Sequence, residues 1–282
     1  MGRPPPECPC PDDEGDLVLD TGEPHLFPVL CLHSLFLDPR AFDGLAEAGR
    51  GRFRFVAPDL PGQAGRVGEA DSTITMDEVA EDVLGLAGDL GLTRIALVGQ
   101  SMGGDVAVRI AARVPGLVER LVLMGSSACA ESPDNAAAFG AMADSVAAQG
   151  FEDQTVDELM GILFARSVLD DPARHDVHVV WRTRLTELEP RLVHAARGVV
   201  ERPDVTSLLP LISAPTLIVS GVEDLVRPAA WSDEMFDAIP DAELWRIKGA
   251  GHSPLIEAPD RVIARVLDFL LGAGRPATPV EA

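Results

Sequence analysis

The chain has 282 residues, of which 46% are hydrophobic and 24% charged, enough for one large domain carrying an inserted subdomain. Its formal net charge of −22 at pH 7 argues against nucleic acid and anionic membrane surfaces as partners. No apolar run reaches the roughly 20 residues of a membrane span. Residues 1–15 are Pro-rich and acidic, without the apolar stretch of a signal peptide. They are expected to form a flexible tail on a cytoplasmic protein. Strand-like runs follow at 16–20, 28–32, 53–58, 94–98, 118–124, 215–220 and 242–247, with helical patterns at 38–48, 75–90, 101–114, 229–238 and 259–271. This alternation predicts an α/β fold with a doubly wound, mostly parallel sheet covered on both faces. Residues 131–205 break the rhythm with helical stretches at 134–149, 155–167, 172–187 and 190–201 and no convincing strand. They are expected to form a helical cap inserted into a core made of 16–130 and 206–282.

Chemistry enters at Gly99-Gln100-Ser101-Met102-Gly103, at the corner between the strand 94–98 and the following helix. A serine between two glycines at such a corner has the form of a nucleophile elbow. The turn must be very tight to project the hydroxyl into a cleft, and the helix beyond it points free N–H groups and a positive dipole end at the site. A serine hydroxyl needs a base beside it and an acid to orient the base. His252, in the Gly-rich loop Gly249-Ala250-Gly251-His252-Ser253-Pro254 after the last strand, is the candidate base. Asp224, just after the strand 215–220, is the candidate acid; Glu223 is its rival, though adjacent loop side chains usually diverge. Three loops thus carry the residues in the order Ser, Asp, His.

These residues carry a family resemblance. Val29-Leu30-Cys31-Leu32-His33-Ser34-Leu35, Ala57-Pro58-Asp59-Leu60-Pro61-Gly62 and Gly251-His252-Ser253-Pro254-Leu255-Ile256-Glu257-Ala258-Pro259 resemble segments of the α/β-hydrolases along nearly the whole chain. With Gln100-Ser101-Met102-Gly103-Gly104, the combination is most similar to the branch of 3-oxoadipate enol-lactonases and cofactor-free haloperoxidase-like esterases. The resemblance implies backbone oxyanion donors on Leu35 and Met102, and no metal or organic cofactor. Two departures stand out: His33-Ser34 replaces the usual His-Gly, and Gln63-Ala64-Gly65-Arg66 replaces the usual continuation after Pro-Gly. His33 is expected to hold its loop rather than to act as a second base. Epoxide hydrolases and haloalkane dehalogenases of this superfamily use an aspartate at the elbow, the former with tyrosine donors. Ser101 and the complete absence of tyrosine make both readings poor.

The expected function is therefore hydrolysis of a carboxylic ester or lactone of a small organic acid through an acyl-enzyme, with a small molecule as partner and the oligomeric state open. Alternatives on the same triad are a carbon–carbon bond hydrolase, a thioesterase or a perhydrolase of haloperoxidase type; a ligand-binding protein without turnover is a further one. Trp181, Phe164 and Met142 are the candidate substrate-binding residues of the cap. An enol-lactone carries a carboxylate, which an inward-facing arginine would bind; periodicity does not choose among Arg166, Arg174, Arg182 and Arg184. Cys31 and Cys129 are read as small core residues, and Cys8 and Cys10 as a Cys-Xaa-Cys with no second pair to complete a zinc site.

Overall fold

Alternate residues of the strands divide between two cores. Ile95 and Leu97 face one side with Leu30, Leu32, Leu121 and Ile218; Ala96 and Val98 face the other with Val29, Cys31, Val122 and Leu217. Strands buried on both faces need helices on both faces, and the chain supplies them. The structure, a computed structural model, describes residues 17–69 and 71–272. The predicted tail over 1–15, with Cys8 and Cys10, lies outside the described residues, as does 273–282 of the expected core.

The strands are β1 (Val18–Asp20), β2 (Phe27–Leu32), β3 (Phe53–Pro58), β4 (Ile95–Gln100), β5 (Val118–Met124), β6 (Thr216–Gly221) and β7 (Ala242–Ile247). They form one sheet in the order β1-β3-β2-β4-β5-β6-β7, with β1 antiparallel to β3 and the other pairings parallel. Because β3 lies on one side of β2 and β4 on the other, the order reverses between β2 and β4. That is where open α/β sheets offer a crevice at the strand C-termini.

Helix α1 (Asp43–Gly49) covers one face, α2 (Met76–Asp89) and α3 (Met102–Arg113) the other. Helix α2 begins with a reciprocal cap: Thr75 Oγ1 accepts from the Glu78 amide and Glu78 Oε2 from the Thr75 amide. Between β5 and β6 come α4 (Pro133–Gln149), α5 (Asp153–Leu163), α6 (Arg166–Leu169), α7 (His175–Thr186) and α8 (Val193–Val200). Helices α9 (Ala229–Ala238), α10 (Pro254–Glu257) and α11 (Pro259–Leu270) are the last among the described residues. No helix among the described residues is long and apolar enough to cross a membrane.

The predicted helix over 155–167 divides in two. Phe164 is extended at φ −132°, and the next amide, Ala165 N–H, donates 2.6 Å to the buried Glu257 carboxylate instead of continuing the helix. Long-range partners outcompete local periodicity there. Cys31 is a fully buried core thiol. Cys129 departs from expectation: it is half-buried, with Sγ 2.8 Å from Glu234 Oε2.

Candidate active site

Strand β4 runs straight into α3, and Ser101 is the residue that turns the corner. Its backbone has φ 50° and ψ −116°, a sparsely populated conformation for a side-chain-bearing residue and a common mark of functional sites. The surrounding backbone leaves no room for a relaxed turn. A Cβ on Gly99 would stand 2.5 Å from the Gly103 carbonyl oxygen, and one on Gly103 would collide with the Leu32 carbonyl of the neighbouring strand. Ser101 N–H donates to the Met124 carbonyl of β5 at 2.8 Å, so both neighbouring strands fix the elbow.

Two loops from the other half of the sheet meet the serine. His252 Nε2 lies 2.7 Å from Ser101 Oγ, and His252 Nδ1 lies 3.0 Å from Asp224 Oδ2. An ionised carboxylate can only accept, which assigns the ring proton to Nδ1 and leaves Nε2 to accept from the serine hydroxyl. The other oxygen of Asp224 accepts from the Val226 and Arg227 amides, each at 2.9 Å. Burial pushes the Asp224 carboxyl up; the His252 charge and hydrogen bond, with the two amides, outweigh it and hold the carboxyl below its ordinary value. Glu223 points elsewhere, accepting from the Ser167 hydroxyl at 2.6 Å and the Ser167 amide at 3.2 Å.

Glu257 also shapes the site. Its Oε1 accepts from Gly251 N–H at 2.9 Å and Ser253 N–H at 2.8 Å, the amides on either side of His252. Its Oε2 takes the Ala165 amide. One buried carboxylate thus ties the histidine loop to the helices after β5. Burial raises its pKa despite these donors.

The loop after β2 closes the other side. His33 is fully buried: Nδ1 lies 2.9 Å from the Ser34 carbonyl and Nε2 3.2 Å from the Leu60 amide. With both nitrogens engaged, it holds two loops together and has none left for proton transfer. Gln63, in the segment that departs from the family pattern, is also fully buried. Its Oε1 accepts from Phe36 N–H at 3.1 Å and its Nε2 contacts Met102 Sδ at 3.4 Å. It bridges the turn that carries Leu35 to the residue after Ser101. The Met102 amide stands at the first position of α3, where no preceding turn supplies an acceptor.

Burial lowers the His33 pKa from 6.5 to about 4, against the opposing pull of the Ser34 carbonyl and the Asp38 charge. The unfolded chain therefore binds a proton that the native state refuses between those values, so this contribution to stability falls as pH drops from 6.5 towards 4. Urea unfolding at pH 7 and pH 5 should show a loss of about 2 kcal/mol from this group. His33→Gln should lack that part of the pH dependence; an identical pH dependence in the variant would refute the assignment.

A family model for the alpha/beta hydrolase family matches residues 29–265. The chain belongs to the α/β-hydrolase family. A curated relative, a pimeloyl-acyl-carrier-protein methyl ester esterase of Aromatoleum aromaticum, is 28% identical over 259 residues, spanning 86% of this chain and 98% of its own. A thermophilic esterase from Thermogutta terrifontis, solved with malate bound, superposes with a TM-score of 0.80 at 31% identity, covering 90% of this chain and 92% of its own. The enol-lactonase of Burkholderia xenovorans superposes with a TM-score of 0.81 at 25% identity, covering 90% and 95%.

In this α/β-hydrolase a cavity of about 740 Å³, counting its open mouth, reaches from Ser101 and His252 into the helices after β5. Met142 is on its wall with Phe139, Val146, Phe151, Leu159 and Val199. Phe164 and Trp181 are not. They are buried against each other, ring centroids 6.1 Å apart, in the apolar cluster that α5, α6 and α7 form with Leu37 and Ala41, behind the Leu159 and Leu163 side chains that reach the cavity. Their expected substrate contact is corrected accordingly: an amphipathic helix shows an apolar face whether that face meets a ligand or a second helix.

None of the four arginines singled out from the helical segment lines the cavity. Arg166 pairs with Asp170 at 2.7 Å, and Arg182 with Asp153 at 3.0 Å and Asp157 at 3.1 Å. Arg174 donates to the Ile256 and Glu257 carbonyls, and Arg184 stacks 4.6 Å over Trp181. The charged residues on the cavity wall are Glu131 and Arg227, and they pair with each other at 3.1 Å. Both belong to a buried cluster with Asp105 and Arg202, in which each guanidinium reaches both carboxylates.

Proposed function

We propose that this α/β-hydrolase cleaves carboxylic esters, lactones among them, through an acyl-enzyme on Ser101. The observation that supports the reading is the continuous hydrogen-bond chain Ser101–His252–Asp224, 2.7 Å and 3.0 Å long, at the mouth of a cavity. Named esterases among the relatives point the same way.

In the first half-reaction Ser101 Oγ attacks the substrate carbonyl carbon as its proton passes to His252 Nε2. The ionised Asp224 carboxylate keeps Nδ1 protonated and stabilises the imidazolium. The carbonyl oxygen becomes an oxyanion, received by the Met102 and Leu35 amides; fixed donors aimed where charge develops are usually the largest contribution to such catalysis. His252 then protonates the departing alcohol. In the second half-reaction water gives its proton to His252 and attacks the acyl carbonyl, and Ser101 leaves with that proton. Residues 131–205 serve as a cap on the core of 16–130 and 206–282, keeping bulk water from the cavity so that the fixed dipoles act at low dielectric. No step requires a metal or organic cofactor.

Incubation with a fluorophosphonate should add one phosphonyl group to Ser101 by intact mass and peptide mapping, with parallel loss of p-nitrophenyl ester hydrolysis. Labelling of a different residue, or hydrolysis that survives complete labelling, counts against the reading. Gln63→Ala removes the acceptor that holds the Phe36 amide and the contact to Met102. It should lower kcat about 10- to 100-fold through a misplaced oxyanion site, with KM nearly unchanged. A change confined to KM would show that Gln63 does not support the transition state.

A further inference from the structure

Resting on the ester-hydrolase reading, we propose that the cavity takes an uncharged, apolar acyl or alkyl chain, and that carboxylate-bearing esters and lactones are rejected. Three observations converge on this chemistry. The wall beyond the Ser101–His252 mouth is hydrocarbon, made by side chains such as Phe139, Met142, Val146, Phe151 and Leu163. Its two charged residues pair with each other inside a charge-balanced cluster, although Arg227 Nε is buried without a hydrogen-bond partner. Arg227 Nη1 reaches Glu131 at 3.1 Å and Nη2 reaches Asp105 at 3.2 Å, while Arg202 supplies the second positive charge that balances the two carboxylates. A substrate carboxylate entering there would meet Glu131 beside Arg227, the only guanidinium on the wall among the described residues. Six further arginines of the helical segment, none on the cavity wall, engage Asp170, Asp153, Asp157, Asp71, Asp144, the Ile256 and Glu257 carbonyls and the Trp181 ring.

The physics is one-sided. A buried charge without a partner is strongly disfavoured, whereas each methylene moved from water into such a cavity gains about three- to fourfold in binding. The net charge of −22 adds long-range repulsion of anions.

The test uses a matched pair, methyl octanoate and monomethyl suberate, which differ at the far end by a methyl group against a carboxylate. With the wild-type protein, kcat/KM for methyl octanoate should exceed that for monomethyl suberate at least 100-fold. In p-nitrophenyl esters it should rise about three- to fourfold per methylene from acetate to hexanoate. Calorimetry with Ser101→Ala reads the same preference without turnover: methyl octanoate binds and monomethyl suberate does not. Met142→Arg places a cation on the half-buried wall and should raise the suberate-to-octanoate ratio more than tenfold. Equal or better use of the half-ester, or a flat chain-length series, overturns the proposal while leaving ester hydrolysis standing. If Ser101 takes no fluorophosphonate and neither ester is cleaved, the ester reading falls, and the calorimetric pair still decides what the cavity accepts.

Discussion

Ser101→Ala should reduce ester hydrolysis by a factor of about 10⁴ or more while the protein stays folded. The size follows from the arrangement. Ser101 Oγ is the hydroxyl that His252 Nε2 faces at 2.7 Å, and in serine hydrolases the members of such a chain act as a unit, so losing the nucleophile removes nearly everything they contribute. On the proposed mechanism, what survives is the background from its oxyanion donors and substrate binding. Stability is a separate matter. The variant loses one hydrogen bond, worth about 0.5–1.5 kcal/mol, and retains a side chain small enough for the same strained turn. Thermal melting should shift by no more than about 5 °C. Steady-state assays with an activated ester, alongside circular dichroism, separate the two quantities. A folded variant with activity within tenfold of wild type would remove Ser101 from the mechanism.

Arg202→Ala should be the most destabilising of the substitutions considered, by about 3–5 kcal/mol. Arg202 is 4% exposed. Its Nε lies 3.2 Å from Asp105 and its Nη1 3.2 Å from Glu131, while the Val199 and Cys129 carbonyls take further hydrogen bonds at 2.6 Å and 3.1 Å. Burial lowers its pKa, partly offset by the two carboxylates. Without it Asp105 and Glu131 confront Arg227 alone, and an uncompensated negative charge stays buried. The melting temperature should fall by on the order of 10 °C. Because Glu131 precedes α4, Arg202 follows α8, and the Arg227 amide holds Asp224, kcat should fall as well. The double variant Arg202→Met with Glu131→Met removes one charge of each sign and should cost less than the sum of the single changes. Strict additivity would show that the two side chains do not act as a pair.

The candidate site was readable from the sequence to the extent that each of its residues sits next to a recognisable strand. Ser101, Asp224 and His252 each follow a run of apolar residues within a few positions, so the parallel sheet alone brings their loops to one end. Glu257 and Gln63 were not readable in the same way. A glutamate in a helix-like segment and a glutamine in a turn look solvated until their burial is known, and here each accepts from a backbone amide of a distant segment, Glu257 from Ala165 and Gln63 from Phe36. Trp181 and Phe164 failed in the opposite direction: they are apolar and in the right segment, yet their faces turn towards each other.

The sequence by itself determined the alternation of strand and helix, the strained serine corner, and the order in which Ser101, Asp224 and His252, the proposed nucleophile, acid and base, follow their strands. Each of these is written in short-range patterns of apolar spacing and glycine, which act through local backbone sterics and hydrophobic burial. Only the tertiary structure decided which apolar side chains line the cavity, that Arg202 and Arg227 are consumed by Asp105 and Glu131, and that Glu257 braces the histidine loop. Those outcomes depend on which of several competing partners a side chain reaches once segments as far apart as 92 and 122 residues are packed together, and hydrogen bonds and ion pairs of a few ångströms range leave no trace in the spacing of the chain.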